Sequence, residues 1–375
     1  MKRTLIVATT SYAGMGPYVC QIVNAFSKND AVFYLFRDYE DRYFEKNIKK
    51  ELHEKSVFLL IPNTRTNKLK DLLPIKKAIY EPVVEQCKNC NIEVVHFINN
   101  PGPIKLVRHL ERMGIRVVST VHDLHPHESK KAWYKKLRFH FIYNELYKNL
   151  LASQNLITNS DAQYNELLYS YPKKNIFYHS FPSLVTNSIT SGTDAPEELA
   201  CMDKPYILFF GRLEKYKGID LLYNVFLNTP GLRSAFRLVI AGGGTIPLER
   251  RKDEKGVVWI NRYIKDSEVE NLYKRAYFVV YPYISATQSG VLSLAFFYNV
   301  FTVASDVPFF RSIIEPNEAG LLFRAGDERD LREKLLEAAT CDRQHFVQKG
   351  AECYKRLYDE NAIKEALINI YNTVK

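Results

Sequence analysis

The chain has 375 residues, of which 46% are hydrophobic and 25% charged; this composition is that of a globular protein and excludes a disordered chain. Its length allows two domains of ordinary size, each with a well-buried core. The formal net charge is +10, and residues 1–200 carry +7 of it, so the first half favours an anionic partner: nucleic acid, an anionic membrane surface or a phosphorylated substrate.

Short apolar runs alternate with amphipathic segments of helix length from one end of the chain to the other. Each run is continuous rather than alternating, as expected for parallel strands that are covered on both faces. The predicted strands are 4–9, 31–36, 57–61, 93–98, 116–120, 156–158, 206–210, 237–241, 257–260, 278–281 and 301–304. This order predicts an α/β protein with two open parallel sheets.

The change of domain is predicted within residues 182–204, where Ser, Thr, Asn, Gly, Asp and Pro cluster without periodicity. We therefore assign residues 1–190 to an N-terminal domain and residues 204–360 to a C-terminal domain. A last helix, within 361–375, is expected to pack back on the N-terminal domain.

The loop after the first strand contains Gly14 and Gly16. It lacks the G-x-G-x-x-G spacing, and no acidic residue ends the second strand at the usual place, so a dinucleotide site is not expected. A ligand-binding glycine loop and a plain turn are both compatible with this segment.

Three histidines and an aspartate follow the strand at 116–120, in the order His122, Asp123, His125 and His127. A metal would need further ligands to fill its coordination shell. The segment fits better as the polar edge of an active site, with His122 nearest the strand end. A purely structural role remains open for His125 and His127.

An arginine and a lysine lie five residues apart where the strand at 206–210 gives way to a helix that begins around Ile219. Arg212 offers a planar fork for two phosphate oxygens and Lys217 a point charge. Gly211 and Gly218 allow the backbone to approach a ligand, and the N–H groups of the helix add partial positive charge. The segment therefore predicts a diphosphate site; the alternative is a solvated basic turn.

Two further loops carry small residues after predicted strands. One is the glycine turn 242–244, which includes Gly243. The other precedes an apolar helix at 291–298 and contains Thr287, Gln288, Ser289 and Gly290. Its hydroxyl groups and backbone N–H groups could bind an anion, although a well-capped helix would use the same residues.

Taken together, these segments resemble the retaining nucleotide-sugar glycosyltransferases of family 4, part of glycosyltransferase group 1. The resemblance covers nearly the whole chain and is strongest over 206–222 and 276–331. It implies the GT-B fold, in which two facing Rossmann-like domains with parallel sheets enclose a deep interdomain cleft. The motif G-R-L-x-x-x-K-G is matched at 211–218, and it implies that Arg212 and Lys217 hold the donor diphosphate.

The same resemblance implies roles for the other loops. The glycine turn at Gly243 and the loop with Tyr263 and Ile264 would bind the donor, the latter through its backbone at the nucleobase. His122 would approach the transferred sugar and act in catalysis with Arg212 and Lys217. Gly14 and Gly16 would lie near the acceptor and the phosphate.

One departure from the family concerns its usual pair of glutamates eight residues apart, because no glutamate occurs from 271 to 314. A subset of the family carries a similar A-T-Q-S-G loop, here 286–290. In that subset Thr287, Gln288, Ser289 and the Gly290 N–H would take over contacts to phosphate or sugar.

The resemblance implies a hexosyltransferase-type enzyme that uses a UDP- or GDP-sugar and a glycan or lipid-linked saccharide acceptor in cell-surface polysaccharide synthesis. No cofactor is expected, and the lack of any Asp-x-Asp argues against an obligatory metal. Rival interpretations are a nucleotide-sugar epimerase or another GT-B enzyme, which would need paired acid and base groups, and a non-enzymatic anion or nucleic-acid binder. Nucleic acid is not expected, because no recognisable motif for it is present.

The chain lacks an apolar run of the roughly 18 residues that a transmembrane helix needs, which favours a cytoplasmic protein. The basic and aromatic segment 130–143 suggests attachment to an anionic membrane surface, although an ordinary helix with a buried aromatic stripe explains it as well.

Six cysteines include one C-x-x-C, Cys87 and Cys90. Without a second pair, they are read as reduced, structural thiols.

Overall fold

A computed structural model describes residues 1–11, 14–62, 77–122, 124, 147–286 and 288–375. The chain divides into two compact units, the first formed by Met1–Pro182 with Asp359–Lys375 and the second by Ser183–Tyr358. Each unit contains one sheet in which every paired strand is parallel. The predicted α/β class with two parallel sheets is confirmed.

The first unit holds a seven-stranded sheet in the order β3-β2-β1-β4-β5-β6-β7. Its strands are β1 Thr4–Ala8, β2 Val32–Tyr39, β3 Ser56–Ile61, β4 Val94–Phe97, β5 Arg116–Val121, β6 Asn155–Thr158 and β7 Asn175–Tyr178. Its helices are α1 Met15–Asn24, α2 Tyr43–Asn47, α3 Lys77–Asn89, α4 Ile104–Arg112 and α5 Asp161–Ser170, with a 3-10 helix at Lys50–Lys55 and a helical stretch over 147–152. All five residues of β1 are buried because helices cover both faces of the sheet.

The second unit holds a six-stranded sheet in the order β10-β9-β8-β11-β12-β13. Its strands are β8 Tyr206–Phe210, β9 Arg237–Ala241, β10 Val257–Ile260, β11 Ala276–Tyr281, β12 Thr302–Ser305 and β13 Leu321–Phe323. Its helices are α6 Asn187–Thr190, α7 Ile219–Leu227, α8 Pro230–Ala235, α9 Asp266–Lys274, α10 Val291–Phe297, α11 Pro308–Ile314, α12 Glu328–Thr340 and α13 Gln344–Leu357, with 3-10 helices at Glu197–Leu199, Lys215–Lys217 and Glu315–Asn317. Strand order reverses between β8 and β11, and ligands of open α/β sheets bind beyond the carboxyl ends of the strands at such a point.

The last helix, α14 Glu360–Thr373, belongs to the first unit. Its Leu367 and Tyr371 are buried in the same hydrophobic cluster as residues of β1 and α1. Its Lys364 forms a 2.6 Å ion pair with Asp30. The side chain of Asp359 caps the helix by accepting the Asn361 N–H.

The structure adds two strands, β7 and β13, that the sequence pattern did not predict. Both lie at the edge of their sheet; only one of the four residues of β7 is buried, and β13 has only three residues, so neither stands out as a buried apolar run. Strand β2 also runs three residues beyond its predicted end, because the polar Asp38 is buried there and its carboxylate accepts the backbone N–H groups of Tyr43, Phe44 and Glu45. In the part of the chain that is described, no helix combines the length and the apolar character needed to span a bilayer.

Candidate functional site

In the second unit, the loops that follow β8 and β11 meet at the point where strand order reverses. The Ile284 N–H, just beyond β11, donates a 2.7 Å hydrogen bond to the carbonyl of Tyr216 in the loop after β8. This contact joins the predicted diphosphate loop to the segment that leads to Ser289 and Gly290. The topology therefore brings together two loops that the sequence places far apart.

Lys217 is the most unusual residue of this loop, because its side chain is charged and only 8% exposed. Its Nζ lies 5.0 Å from the ring centroid of Tyr283 and 5.8 Å from that of Tyr216. Among the described residues, none forms an ion pair or a hydrogen bond with this ammonium. Two tyrosine faces compensate only part of the desolvation of a cation, so an anionic ligand would complete the site.

Gly211 is the residue that lets the ammonium reach this position. Its φ is +142°, and a Cβ there would lie 2.8 Å from Nζ of Lys217. A side chain at this position would therefore strain the backbone and push the ammonium away.

Arg212 differs from Lys217 in both exposure and pairing. Its side chain is 51% exposed, and its Nη2 lies 2.5 Å from Oε1 of Glu214. A diphosphate that bound Arg212 would have to share the guanidinium with this carboxylate. The two cations that look equivalent in the sequence are thus a buried ammonium and an exposed, already paired guanidinium.

The predicted nucleobase loop follows β10. Tyr263 is 65% exposed, whereas Ile264 is buried. Arg262 ties this loop to Glu198 and Glu268, and its hydrogen bonds hold the pKa of both carboxyl groups below the ordinary value. Gly243 packs against the backbone between Arg262 and Tyr263, since a Cβ at Gly243 would lie 3.3 Å from Arg262 C and from Tyr263 N.

The loop before α10 is described except for Thr287, so the prediction for that residue lies outside the described residues. Ser289 is buried, and its hydroxyl donates a 3.4 Å hydrogen bond to the Tyr283 hydroxyl. Gln288 is partly buried, and the Gly290 carbonyl accepts a 2.6 Å hydrogen bond from Ser293. Because Tyr283 also faces the Lys217 ammonium, the structure connects Ser289 to the predicted diphosphate loop through one aromatic ring.

In the first unit, His122 follows β5 and is held by a backbone carbonyl. Its Nε2 lies 2.8 Å from the oxygen of Ile98. Since a carbonyl only accepts, Nε2 carries the proton. The ring of Tyr18 packs against His122 edge to face, with centroids 4.7 Å apart.

Of the two glycines predicted in a loop of the first unit, Gly14 precedes α1 and Gly16 lies in its first turn. A Cβ at Gly16 would be 2.5 Å from the Tyr43 ring, whereas no atom of the described residues lies within 4 Å of a Cβ at Gly14. Of the other residues predicted near His122, Asp123, His125 and His127 lie outside the described part of the chain.

A buried polar network, which the sequence did not predict, lies beside His122. His96 is bonded through one ring nitrogen to the Tyr371 hydroxyl and through the other to Thr120, both at 2.8 Å. Burial lowers the pKa of His96 to about 3 and that of His179 to about 4, so both are neutral near pH 7. A lone histidine inside the apolar strand β4 was the signal available in the sequence.

Residues that the sequence missed in the second unit are Tyr283, Glu198 and Glu268. Tyr283 shields the ammonium of Lys217, and the two glutamates fix the loop of Tyr263 through Arg262. Glu268 could have been suspected from its place in the first turn of α9. No local sequence pattern pointed to Tyr283 or Glu198.

Part of the chain matches the model of a known protein family. Residues 204–340 match the family described as Glycosyl transferases group 1. A phosphatidyl-myo-inositol mannosyltransferase from Mycobacterium leprae (strain TN) is 29% identical over 178 residues, 45% of this chain and 46% of that protein. The alignment thus spans about half the length of this relative.

Solved structures with a similar fold cover nearly the whole chain. Sucrose-phosphate synthase from Thermosynechococcus elongatus aligns with a TM-score of 0.66 at 16% identity, over 99% of this chain and 98% of that one. Anabaena HepE in complex with UDP and glucose aligns with a TM-score of 0.66 at 14% identity, over 99% and 100%. Residues 204–340 are therefore similar in sequence to the Glycosyl transferases group 1 family, and the two parallel α/β sheets of the whole chain match the fold of GT-B glycosyltransferase structures.

Proposed function

We propose that this protein is a retaining glycosyltransferase that moves a sugar from a nucleotide-diphosphate sugar to a glycan or lipid-linked saccharide. The observation that carries the proposal is the ammonium of Lys217, nine-tenths buried at the reversal point of the second sheet and without an anionic partner among the described residues. A donor diphosphate supplies the missing charge, with Arg212 beside it. The family match over 204–340 and the UDP and glucose bound to the HepE structure support a nucleotide-sugar donor.

The proposed reaction needs charge stabilisation more than acid and base groups. The bond between the anomeric carbon and the diphosphate oxygen breaks, the acceptor oxygen bonds to that carbon on the same face, and the acceptor proton passes to the leaving phosphate. Lys217 and Arg212 stabilise the charge that grows on the diphosphate, a contribution of roughly 3–4 kcal/mol for one preorganised donor. This division of labour explains how a chain without the paired glutamates could still catalyse transfer.

Ser289 and Gln288, together with Thr287 and the Gly290 N–H, are assigned to the phosphate or sugar contacts that those glutamates would otherwise make. Gly14 and Gly16 are assigned to the donor phosphate, near the acceptor, and His122 to the transferred sugar. Tyr263, Ile264 and Gly243 are assigned to the nucleoside of a UDP- or GDP-sugar. We further propose that the transfer is of a hexose and independent of a metal.

A lipid-linked acceptor would place the reaction at the inner face of the plasma membrane, in the synthesis of a cell-surface polysaccharide. The basic segment 130–143, which suggested this, lies outside the described residues. Sedimentation with anionic vesicles at low salt tests the idea: the protein should pellet with them, and its absence from the pellet would contradict membrane attachment.

Thermal unfolding with a panel of nucleoside diphosphates and their sugars tests the donor site. A ligand present at 100 times its Kd should stabilise the folded state by about 2.7 kcal/mol. We expect one base and one sugar to raise Tm, and Lys217→Met to lose that rise. Failure of every nucleotide in the panel would contradict the proposed function.

A further inference from the structure

Arg262 has all five of its N–H donors engaged by acceptors of the same unit. Nε and one N–H of Nη2 donate to the two carboxylate oxygens of Glu198, each at 2.9 Å. Nη1 and the other N–H of Nη2 donate to the two oxygens of Glu268, each at 2.7 Å. The second N–H of Nη1 reaches the carbonyl of Tyr263 at 3.4 Å. A guanidinium offers five donors in total, so this one has none left for a ligand phosphate.

These contacts hold the loop 262–265 from three directions. Glu198 lies in the 3-10 helix Glu197–Leu199, which precedes β8, and Glu268 lies in the first turn of α9. Glu268 also accepts the backbone N–H of Lys265 at 2.9 Å, which closes the other end of the loop. On the remaining side, Gly243 packs against the Arg262–Tyr263 peptide.

The charge of this cluster separates it from the diphosphate loop. Two carboxylates surround one guanidinium, so Glu198, Arg262 and Glu268 together carry a formal charge of −1, which repels a phosphate. What the loop presents outward is the Tyr263 ring, 65% exposed. A neutral, planar group with hydrogen-bonding edges is the ligand that suits such a surface.

We propose that Arg262 is a positioning residue that fixes the 262–265 loop for the nucleobase of the donor, and so sets affinity for the nucleoside half and not for the diphosphate half. The inference rests on the proposed function, because it takes the ligand to be a nucleotide. Arg262 acts through the loop: Glu198 and Glu268 hold the guanidinium, and the guanidinium holds the Tyr263 carbonyl.

Isothermal titration with UDP, GDP, ADP and inorganic pyrophosphate tests this separation. The Arg262→Lys variant keeps the charge but cannot span four carboxylate oxygens with a planar fork. We expect it to weaken the preferred nucleoside diphosphate at least ~10-fold, as a loop displaced by a fraction of an ångström would, while pyrophosphate binds within ~2-fold of wild type. A variant that was merely unfolded would lose both ligands.

Arg237→Lys is the matched control. Arg237 is also partly buried, and its Nη2 pairs with Asp203 at 2.6 Å in the same unit, but among the described residues it makes no bond to the 262–265 loop. It should bind nucleotide and pyrophosphate as the wild type does.

Gly243→Ala provides a second way to displace the same loop, because its Cβ would lie 3.3 Å from Arg262 C and from Tyr263 N. It should weaken nucleotide binding selectively even if Arg262→Lys does not fold. Equal loss of nucleotide and pyrophosphate affinity in a variant that still unfolds cooperatively, or nucleotide binding unchanged in both variants, would overturn the inference. A wild-type protein that binds no nucleoside diphosphate would instead refute the proposed function, and the inference with it.

Discussion

Replacing Lys217 by methionine should make the unliganded protein more stable and the proposed sugar transfer much slower. Methionine keeps most of the side-chain volume and its packing against Tyr216 and Tyr283 but removes a charge that is only 8% exposed. The lost contacts to two rings cost about 0.5–1 kcal/mol each, whereas the desolvation penalty that is relieved amounts to several kcal/mol. The net expectation is a gain of ~1–3 kcal/mol in the free energy of unfolding.

The same substitution removes the cation that is proposed to stabilise the leaving diphosphate. Loss of one preorganised donor lowers turnover by about 10²–10³-fold. The measurements are Tm of the unliganded protein, the Tm rise with donor nucleotide, and the rate of sugar transfer. In a domain of this size, each kcal/mol changes Tm by roughly 2–4 °C, so the gain is within reach of calorimetry.

Lys215→Met is the control, since Lys215 lies in the same 3-10 helix but is exposed. It removes the same formal charge and should leave turnover within ~3-fold, because an exposed charge is screened by solvent. We infer that Lys217 is a buried cation that requires an anionic ligand. A Lys217→Met protein that unfolds more easily than the wild type, or that transfers sugar at a near-normal rate, would refute this inference.

Four further outcomes are expected. Gly211→Ala should lower donor affinity by ~10-fold or more in a titration, because the Cβ would displace the adjacent buried ammonium; affinity equal to that of wild type would contradict this. The folded-state pKa values of His96 and His179 lie below the ordinary value, so the unfolded chain binds more protons than the folded one. The free energy of unfolding should therefore fall as pH drops from about 6.5 toward 4, by up to ~1.4 kcal/mol per pH unit for each histidine. Urea unfolding across that range checks the slope, which should shrink when either histidine is replaced by asparagine. Glu214→Gln should tighten pyrophosphate binding by no more than ~5-fold, since the exposed ion pair that it breaks is worth about 0–1 kcal/mol; weaker binding would mean that Glu214 assists the site. Transfer should survive EDTA, and its collapse there would show that a divalent metal is required.

The fold could be predicted from sequence wherever a strand is a continuous apolar run. β8, β9 and β10 begin and end at the predicted residues, because each contains a continuous apolar run that ends where turn or polar residues begin. β7 and β13 do not stand out in this way, because β7 has one buried residue and β13 has three residues in all. β11 starts two residues early, at Ala276, where its pairing with β8 shifts register between Ala276 and Phe278.

Burial of individual charges was beyond the sequence, because it depends on residues that are distant along the chain. Arg212 and Lys217 stand in one motif, yet the aromatic ring that encloses Lys217 comes from Tyr283, beyond β11. His96 and Tyr371 are 275 positions apart, and their bond exists only because the last helix returns to the first unit.

The pairing of Arg262 could not be predicted from the sequence either, and it bears on the proposed donor site. From sequence it was one more cation near the glycine turn, and any cation there could have been assigned to the diphosphate. Glu198, 64 positions earlier, and Glu268 accept hydrogen bonds from its guanidinium. Within the described second unit, Lys217 therefore has a charge available for a ligand, whereas the hydrogen bonds of Arg262 hold the shape of a loop. A nucleotide sugar needs a cation for its diphosphate and a rigid neutral surface for its base. Replacement of Arg212 is therefore expected to weaken binding of the diphosphate half, and replacement of Arg262 to weaken binding of the nucleoside half.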